Sequence, residues 1–242
     1  ALFIREQVLD SLHPNLADTY SGIGIVHLIK GNLDESFKWF NKSLVICEKV
    51  LDSLSPRLAT IYNNIGAIHN NKGEYTEALK WNIKALSIRE KVLNPLSPTL
   101  ANSYNSVGTL HYNKGEYDEA FKWLSKSLVI YEKVLDSLSP RLATIYNNIG
   151  TLYDAKGELD EALKFYKKAL EIREQKLNPL SHSLIASYNN IGMVHFETKK
   201  YEKALEYFNK ALPGYIKNFG EEHEKTKRIK KHIEKCKQAL GE

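Results

Sequence analysis

Residues 55–94 read SPRLATIYNNIGAIHNNKGEYTEALKWNIKALSIREKVLN, and this stretch decides the fold. Leu58, Tyr62, Ile65 and Ile68 with His69 fall at helical spacing and define one apolar stripe. Pro56 suits a first helical turn, where its missing N–H would have had no partner. Lys72-Gly73 ends that helix, because glycine takes the left-handed turn conformation freely. A second stripe runs through Tyr75, Ala78, Leu79, Ala85, Leu86, Ile88 and Val92 until Asn94-Pro95 stops it. The unit is therefore a pair of helices, a first and a second.

Its landmarks return every 42 residues, as Gly24, Gly66, Gly108, Gly150 and Gly192, with Tyr20, Tyr62, Tyr104, Tyr146 and Tyr188 four positions earlier. A fixed period of this length means one supersecondary unit copied in tandem. The predicted fold class is all-α, a right-handed superhelical solenoid of antiparallel helix pairs. The spacing gives the end of a second helix at 1–12, repeats at 13–54, 55–96, 97–138, 139–180 and 181–222, and a closing helix at 223–242. Ala1–Leu9 align with Ala85–Leu93, the later half of a second helix, so a further repeat upstream in a longer protein is expected. The closing helix has the register of a first helix interrupted by Lys230, Lys231 and Lys235, the polar outer face that a cap requires. Lys42–Gly66 and Lys126–Gly150 are identical except for Cys47 against Tyr131, an offset of two repeats, which points to growth by copied pairs. A thiol replaced by tyrosine in the same context is not a nucleophile.

Glycine inside a helix costs about 1 kcal/mol relative to alanine, so its recurrence there needs a cause. Close approach supplies one: Gly66 is expected to face Ala78, Gly108 Ala120, Gly150 Ala162, Gly192 Ala204, and Gly24 Ser36. These positions, with Tyr-Asn-Asn-Ile-Gly, Lys-Gly-Glu-Tyr and Ala-Leu-x-Ile-Arg-Glu, resemble the tetratricopeptide repeat (TPR) in its 42-residue, kinesin light chain-like form. The resemblance covers nearly the whole chain and implies a scaffold whose first helices line a concave peptide-binding face. Departures are local. Leu51-Asp52-Ser53-Leu54-Ser55-Pro56 stands where that family has Leu-Gly-Pro-Asp-His-Pro, and its extra leucine recurs at Leu12, Leu96, Leu138 and Leu180. In the fifth repeat Lys199 replaces the turn glycine and His182 the junction proline.

At 43% apolar content the chain can bury a core, yet no apolar run approaches the ~20 residues that span a bilayer, so no membrane partner is expected. No charged, apolar, small-residue leader opens it. Two cysteines cannot make a disulfide framework, which favours a reducing, cytoplasmic setting. Of the net charge of +5, residues 217–242 contribute +3, from eight Lys/Arg against five Asp/Glu. Glu221, Glu222, Glu224 and Glu234 interleave that basicity, so a solvated cap explains it better than nucleic acid does.

Catalytic and cofactor signatures are missing from the sequence: there is no phosphate loop, nucleophile elbow, paired-cysteine metal spacing or zincin motif. His27, His69, His111 and His195 share a register with Tyr153, but stacked repeats hold them too far apart for ligands that must converge within about 2 Å of one metal ion. They are expected to pack between helices. Glu74, Glu116 and Glu158 begin second helices, where a carboxylate favours the helix dipole. Trp39, Trp81 and Trp123, continued by Phe165 and Tyr207, are expected to pack against the next repeat. Neither enzyme activity, metal nor cofactor is expected.

What remains is a polar row on the first helices. Asn63, Asn105, Asn147 and Asn189 repeat in register, after Ser21, with Asn64, Asn148 and Asn190 beside them. A side-chain amide offers one acceptor and two donors, which match an extended peptide backbone. The same residues could instead make solvated or inter-repeat hydrogen bonds. Thr109 and Thr151 leave room for a backbone one turn on. Asn70, Asn71, Tyr112 and Asn113 form a variable polar centre, with Asp154 beyond them; Met193 and Phe196 form one apolar end and Ile25 and Leu28 the other. The expected function is a non-catalytic module binding an extended peptide or partner segment. A groove without Lys or Arg at its ladder positions disfavours capture of a C-terminal carboxylate. Two alternatives stand beside it: a spacer or self-association module, and the sensor arm of a larger enzyme or NTPase.

Overall fold

Proline begins the first helices at Pro14, Pro56, Pro98 and Pro140, and a side-chain cap precedes the first three. In the computed structural model, which describes residues 2–241, Ser55 Oγ accepts the N–H of Arg57 at 3.3 Å and Ser97 Oγ that of Thr99 at 3.2 Å. His13 Nδ1 takes the same role toward Asn15 at 3.1 Å. The side-chain oxygen satisfies one of the N–H groups that a helix start leaves without partners. The extra junction leucine also has a purpose. The N–H groups of Leu12, Leu54, Leu96, Leu138 and Leu180 donate to the Asp or Asn side chain two residues earlier at 2.7–2.9 Å. This Asx turn shapes the junction that carries the extra leucine. Lys199 takes the left-handed conformation (φ 57°) at the position where the other repeats use glycine.

The helices that result are α1 Leu2–Val8, α2 Pro14–Ile29, α3 Leu33–Val50, α4 Pro56–Asn71, α5 Tyr75–Val92, α6 Pro98–Asn113, α7 Tyr117–Val134, α8 Pro140–Ala155, α9 Leu159–Lys176, α10 His182–Glu197, α11 Tyr201–Phe219 and α12 Glu224–Leu240. The described residues contain no strand. They form two compact units that divide inside α7, one ending at Ile130 and the other starting at Tyr131. In the first, α2, α4 and α6 are first helices; in the second, α8 and α10 are.

The mid-helix glycines make room, but chiefly for a different residue from the one expected. A Cβ on Gly150 would lie 2.7 Å from Cδ1 of Tyr166, and one on Gly192 2.7 Å from Cε1 of Phe208. Gly24 meets Phe40 and Gly108 meets Leu124 in the same way, while Gly66 meets the Asn82 amide. The large side chain sixteen positions on, one turn beyond the small Ala78-type residue, occupies the space. At Gly66 the expected Ala78 also comes close, its carbonyl oxygen lying 3.2 Å from the added carbon. Ser36 does meet Gly24, donating to its carbonyl at 2.8 Å.

Consecutive repeats are held by one four-part contact. The hydroxyls of Tyr20, Tyr62, Tyr104, Tyr146 and Tyr188 donate to Glu6, Glu48, Glu90, Glu132 and Glu174 of the preceding second helix at 2.8–3.0 Å. Each tyrosine ring packs on an aromatic of its own repeat: Trp39, Trp81 and Trp123 at 5.6–5.7 Å, Phe165 at 6.2 Å and Tyr207 at 6.4 Å. Lys42, Lys84 and Lys126 lie 4.3–4.6 Å over the tryptophans, a cation–π arrangement. The aromatic row thus packs on the tyrosine of its own repeat, and the tyrosine hydroxyl carries the contact to the repeat before.

Of the shared histidines, His69 and His111 also bond locally, whereas Nδ1 of His27 is buried with no protein partner. His69 Nδ1 lies 2.5 Å from Glu74 and His111 Nδ1 2.6 Å from Glu116, while Phe37 of α3 meets the His69 ring edge-on at 5.4 Å. His195 and His232 differ. Both have a buried Nδ1 with no protein partner. His195 stacks on Tyr207 at 5.8 Å and His232 on Phe208 at 5.5 Å. Burial pushes both imidazoles below their ordinary 6.5, assisted by Lys167, Lys203 and Lys200 around His195, against Glu206, and by Lys235, Arg228 and Lys231 around His232.

Three outcomes follow from this packing. Tyr104→Phe keeps the ring and removes the hydroxyl, and is expected to lower stability by about 1 kcal/mol in urea denaturation. Burial, then the hydrogen bond to glutamate, pushes Tyr62, Tyr104, Tyr146 and Tyr188 up to about 12. The folded chain therefore keeps its phenolic protons longer than the unfolded one, so stability is full below pH 10 and falls as pH rises toward 12; phenolate absorbance should appear together with unfolding. At the acid end the sign is set by the two neutral histidines. The unfolded chain takes up their protons first, so thermal stability should hold above pH 6.5 and fall below it, with a shallower fall in His195→Tyr.

Candidate interaction face on the first helices

Ser21, Asn63 and Asn105 of the first unit and Asn147 and Asn189 of the second are all half-buried. Two of the asparagines are held by arginines from second helices. Arg89 Nη1 donates to Asn63 Oδ1 at 3.4 Å and to Ser103 Oγ at 2.7 Å. Arg173 Nη1 donates to Asn147 Oδ1 at 3.2 Å, to Ser187 Oγ at 2.6 Å and to the Ser183 carbonyl at 3.0 Å. Guanidinium has donors only, so the amide must turn its oxygen toward it and its NH2 end away. Arg173 is 7% exposed, and burial lowers the basicity of both guanidiniums. Arg173 therefore orients an amide and is too enclosed to clamp a ligand carboxylate.

These arginines belong to an alternation along the array. The position is Arg5, Cys47, Arg89, Tyr131, Arg173 and Tyr215 in successive second helices, and fourteen residues later stand Thr19, Ile61, Ser103, Ile145, Ser187 and Ile229. Arginine always precedes a hydroxyl, and Arg5 Nη1 indeed donates to Thr19 Oγ1 at 2.5 Å. Cysteine or tyrosine always precedes isoleucine, and Cys47 with Ile61 lies in one apolar cluster, Tyr215 with Ile229 in another. Polar and apolar junctions thus alternate, which gives the two-repeat copying offset a physical content. The sequence reading passed over these arginines because they lie inside the Ala-Leu-x-Ile-Arg-Glu motif of the second helix. The paired alternation was the signal that could have found them.

The other predicted site residues fall into four groups. Thr109 and Thr151 hydroxyls donate back to the carbonyls of Asn105 and Asn147 at 2.9 and 3.0 Å, which turns them onto their own helices. Side-chain amides also bridge successive first helices: Asn113 donates to Asn70 at 3.4 Å in the first unit, and Asn190 to Asn147 at 3.3 Å in the second. That is the inter-repeat bonding held open as an alternative. Asn71 is exposed, and Tyr112 is half-buried with its ring 5.8 Å from Tyr117. Met193 and Phe196 join a cluster with Phe208, Ile233 and Cys236, and Phe196 meets His232 edge-on at 5.2 Å. Packing against α11 and α12 therefore takes up much of the apolar end expected there.

In the second unit the same face carries carboxylates. Tyr166 OH lies 3.2 Å from Asp154 and 3.3 Å from Thr151. Burial pushes the Asp154 carboxyl up, against the Tyr166 hydrogen bond, and burial together with Asp154 pushes up Glu197. In the first unit Asn70, Tyr112 and Asn113 hold the corresponding places, so its face is neutral there. Among the described residues no three His, Cys, Asp or Glu side chains converge as a metal site, and no helix is long and apolar enough to cross a membrane.

Comparison with known proteins agrees with this architecture. The tetratricopeptide repeat family profile matches residues 15–91, 57–114, 99–175 and 183–242. No curated protein sequence matches the chain. Among solved structures, it is similar to the nearly identical TPR-like repeats of a kinesin light chain-type protein from Podosopora anserina, with 19% identity and a TM-score of 0.70 over 86% of this chain and 98% of that one. BtubC (BKLC) from P. vanneervenii is 20% identical with a TM-score of 0.71 over 91% and 82%, and the apo form of RapI 18% identical with a TM-score of 0.77 over 93% and 83%. At such identities the likeness concerns the fold. With its 42-residue period, paired helices and the profile match along most of its length, the chain belongs to the tetratricopeptide repeat family.

Proposed function

We propose that the first-helix face of this scaffold binds an extended segment of a partner protein through its asparagines. TPR scaffolds generally serve protein–protein interaction, and the finer assignment rests on one observation, the fixed orientation of Asn147. With its carbonyl held by Arg173 and Asn190, this amide directs its NH2 group away from the guanidinium, available to a peptide carbonyl. Asn190 spends its NH2 on Asn147, which leaves its own carbonyl to accept a peptide N–H. Neighbouring rungs then offer a donor and an acceptor, the order in which an extended backbone presents its groups. An amide held in place before binding loses less rotamer freedom when the peptide arrives.

Selectivity comes from the positions that differ between units: a neutral amide and phenol patch in the first, Asp154 and Glu197 in the second. The second unit therefore favours a segment with a basic or hydrogen-bond-donating side chain. A cytoplasmic setting fits Cys47 and Cys236, both buried and unpaired.

Peptides selected on the chain from a random display library provide the ligand for a test. Asn147→Ala with Asn189→Ala is expected to weaken such a peptide at least tenfold while leaving the melting transition within a few degrees. Unchanged affinity, measured by calorimetry on the folded double variant, would refute the ladder.

A further inference from the structure

Arg173 is a buried charge that no carboxylate among the described residues balances. Its hydrogen bonds all leave from Nη1 and reach neutral acceptors: the Asn147 side-chain oxygen, the Ser187 hydroxyl and the Ser183 carbonyl. Nε and Nη2 make none of these bonds. Burial alone lowers its basicity, with no acid acting against it. Arg57 shows the ordinary arrangement, a guanidinium paired with the Asp18 carboxylate. Neutral acceptors solvate a guanidinium without cancelling its charge, and a buried charge left uncompensated is costly.

The same guanidinium lines a cleft of about 90 Å³ at the end of α9, with Lys176, Thr144, Ile172, Leu177 and Ser183 around it. Two cations thus face one small space whose lining holds no Asp or Glu. The second cation breaks the register of the array. Val8, Val50, Val92 and Val134 hold that position in the earlier second helices, and Lys176 replaces them in this one. Ser183 stands in the first turn of α10, where backbone N–H groups favour negative charge. Charge, donors and enclosure therefore meet at one place.

The geometry points to an anion site: this cleft takes one free inorganic oxyanion of phosphate or sulfate size, held by Arg173, Lys176 and the Ser183 hydroxyl. About 90 Å³ is the room of about three waters. A tetrahedral oxyanion fits that space, and a peptide end or a nucleotide exceeds it. The bound ion neutralises the guanidinium that orients Asn147, and stabilises the folded chain by mass action. The site stands whether or not Asn147 meets a peptide.

The probe is inorganic phosphate, titrated into the full chain near neutral pH at fixed ionic strength. NMR should show the Arg173 Nε–H and Ser183 amide signals shifting together to saturation at one phosphate per chain, with sulfate competing. Lys176→Val restores the residue of the earlier repeats at an exposed position, and should weaken phosphate about fivefold. Arg173→Met should abolish binding; the lysine variant keeps the test decisive where the arginine variant fails to fold. Shifts that grow linearly without saturating, or an affinity unchanged in Lys176→Val, would reduce the effect to general salt and overturn the site. A capped phosphoserine that binds as tightly as phosphate would make a phosphorylated side chain the occupant, and the free-ion assignment would fall.

Discussion

A hydrogen bond from tyrosine to the glutamate fourteen residues before it joins each repeat to its predecessor, and the rest of the architecture is arranged around it. The tyrosine ring must lie flat enough to meet the Trp39-type aromatic of its own second helix, and that aromatic must leave a face for the Lys42-type ammonium. Each such bond is worth only about 1 kcal/mol. Recurrence is what gives it weight, because a tandem array derives its stability from its neighbour interfaces. A neutral phenol donating to an ionised carboxylate needs no buried charge pair, so the contact works at the half-exposed edge between repeats. Its dependence on a protonated phenol makes the contact sensitive to alkali.

Behind that uniform contact the junctions come in two kinds. An arginine facing a hydroxyl makes a polar junction, and cysteine or tyrosine facing isoleucine makes an apolar one. Mixing the two would leave a guanidinium against isoleucine, and a buried charge without partners is expensive. The alternation is thus self-enforcing: once arginine is present at one position, the residue fourteen places on must accept hydrogen bonds. The polar junctions carry a second consequence in unit two, where Arg173 also holds the Asn147 amide. Stability between repeats and the orientation of the candidate binding face come from the same guanidinium.

The two units present different chemistry on equivalent surfaces. Asn70 and Asn113 bond to each other in the first, whereas in the second burial raises the affinity of Asp154 and Glu197 for protons, with Asp154 adding to the effect at Glu197. At the far end Phe196 and Met193 are drawn into packing with α11 and α12, so the scaffold uses for its own closure what their sequence position offered to a ligand.

Helix positions, turns and repeat length were legible in the sequence because they depend on neighbours within about four residues. Pro56 at a helix start, Gly73 at its end and the spacing of Leu58, Tyr62 and Ile65 are local facts that no distant contact has to complete. The candidate asparagines were legible as a row for the same reason. Which side chain fills the space beside Gly150, which ring meets Trp81, and which cation holds Asn147 were decided by tertiary structure alone. Those contacts join residues 14, 16, 19 or 26 apart on different helices, and their identity depends on helix separation and side-chain reach, which periodicity does not encode.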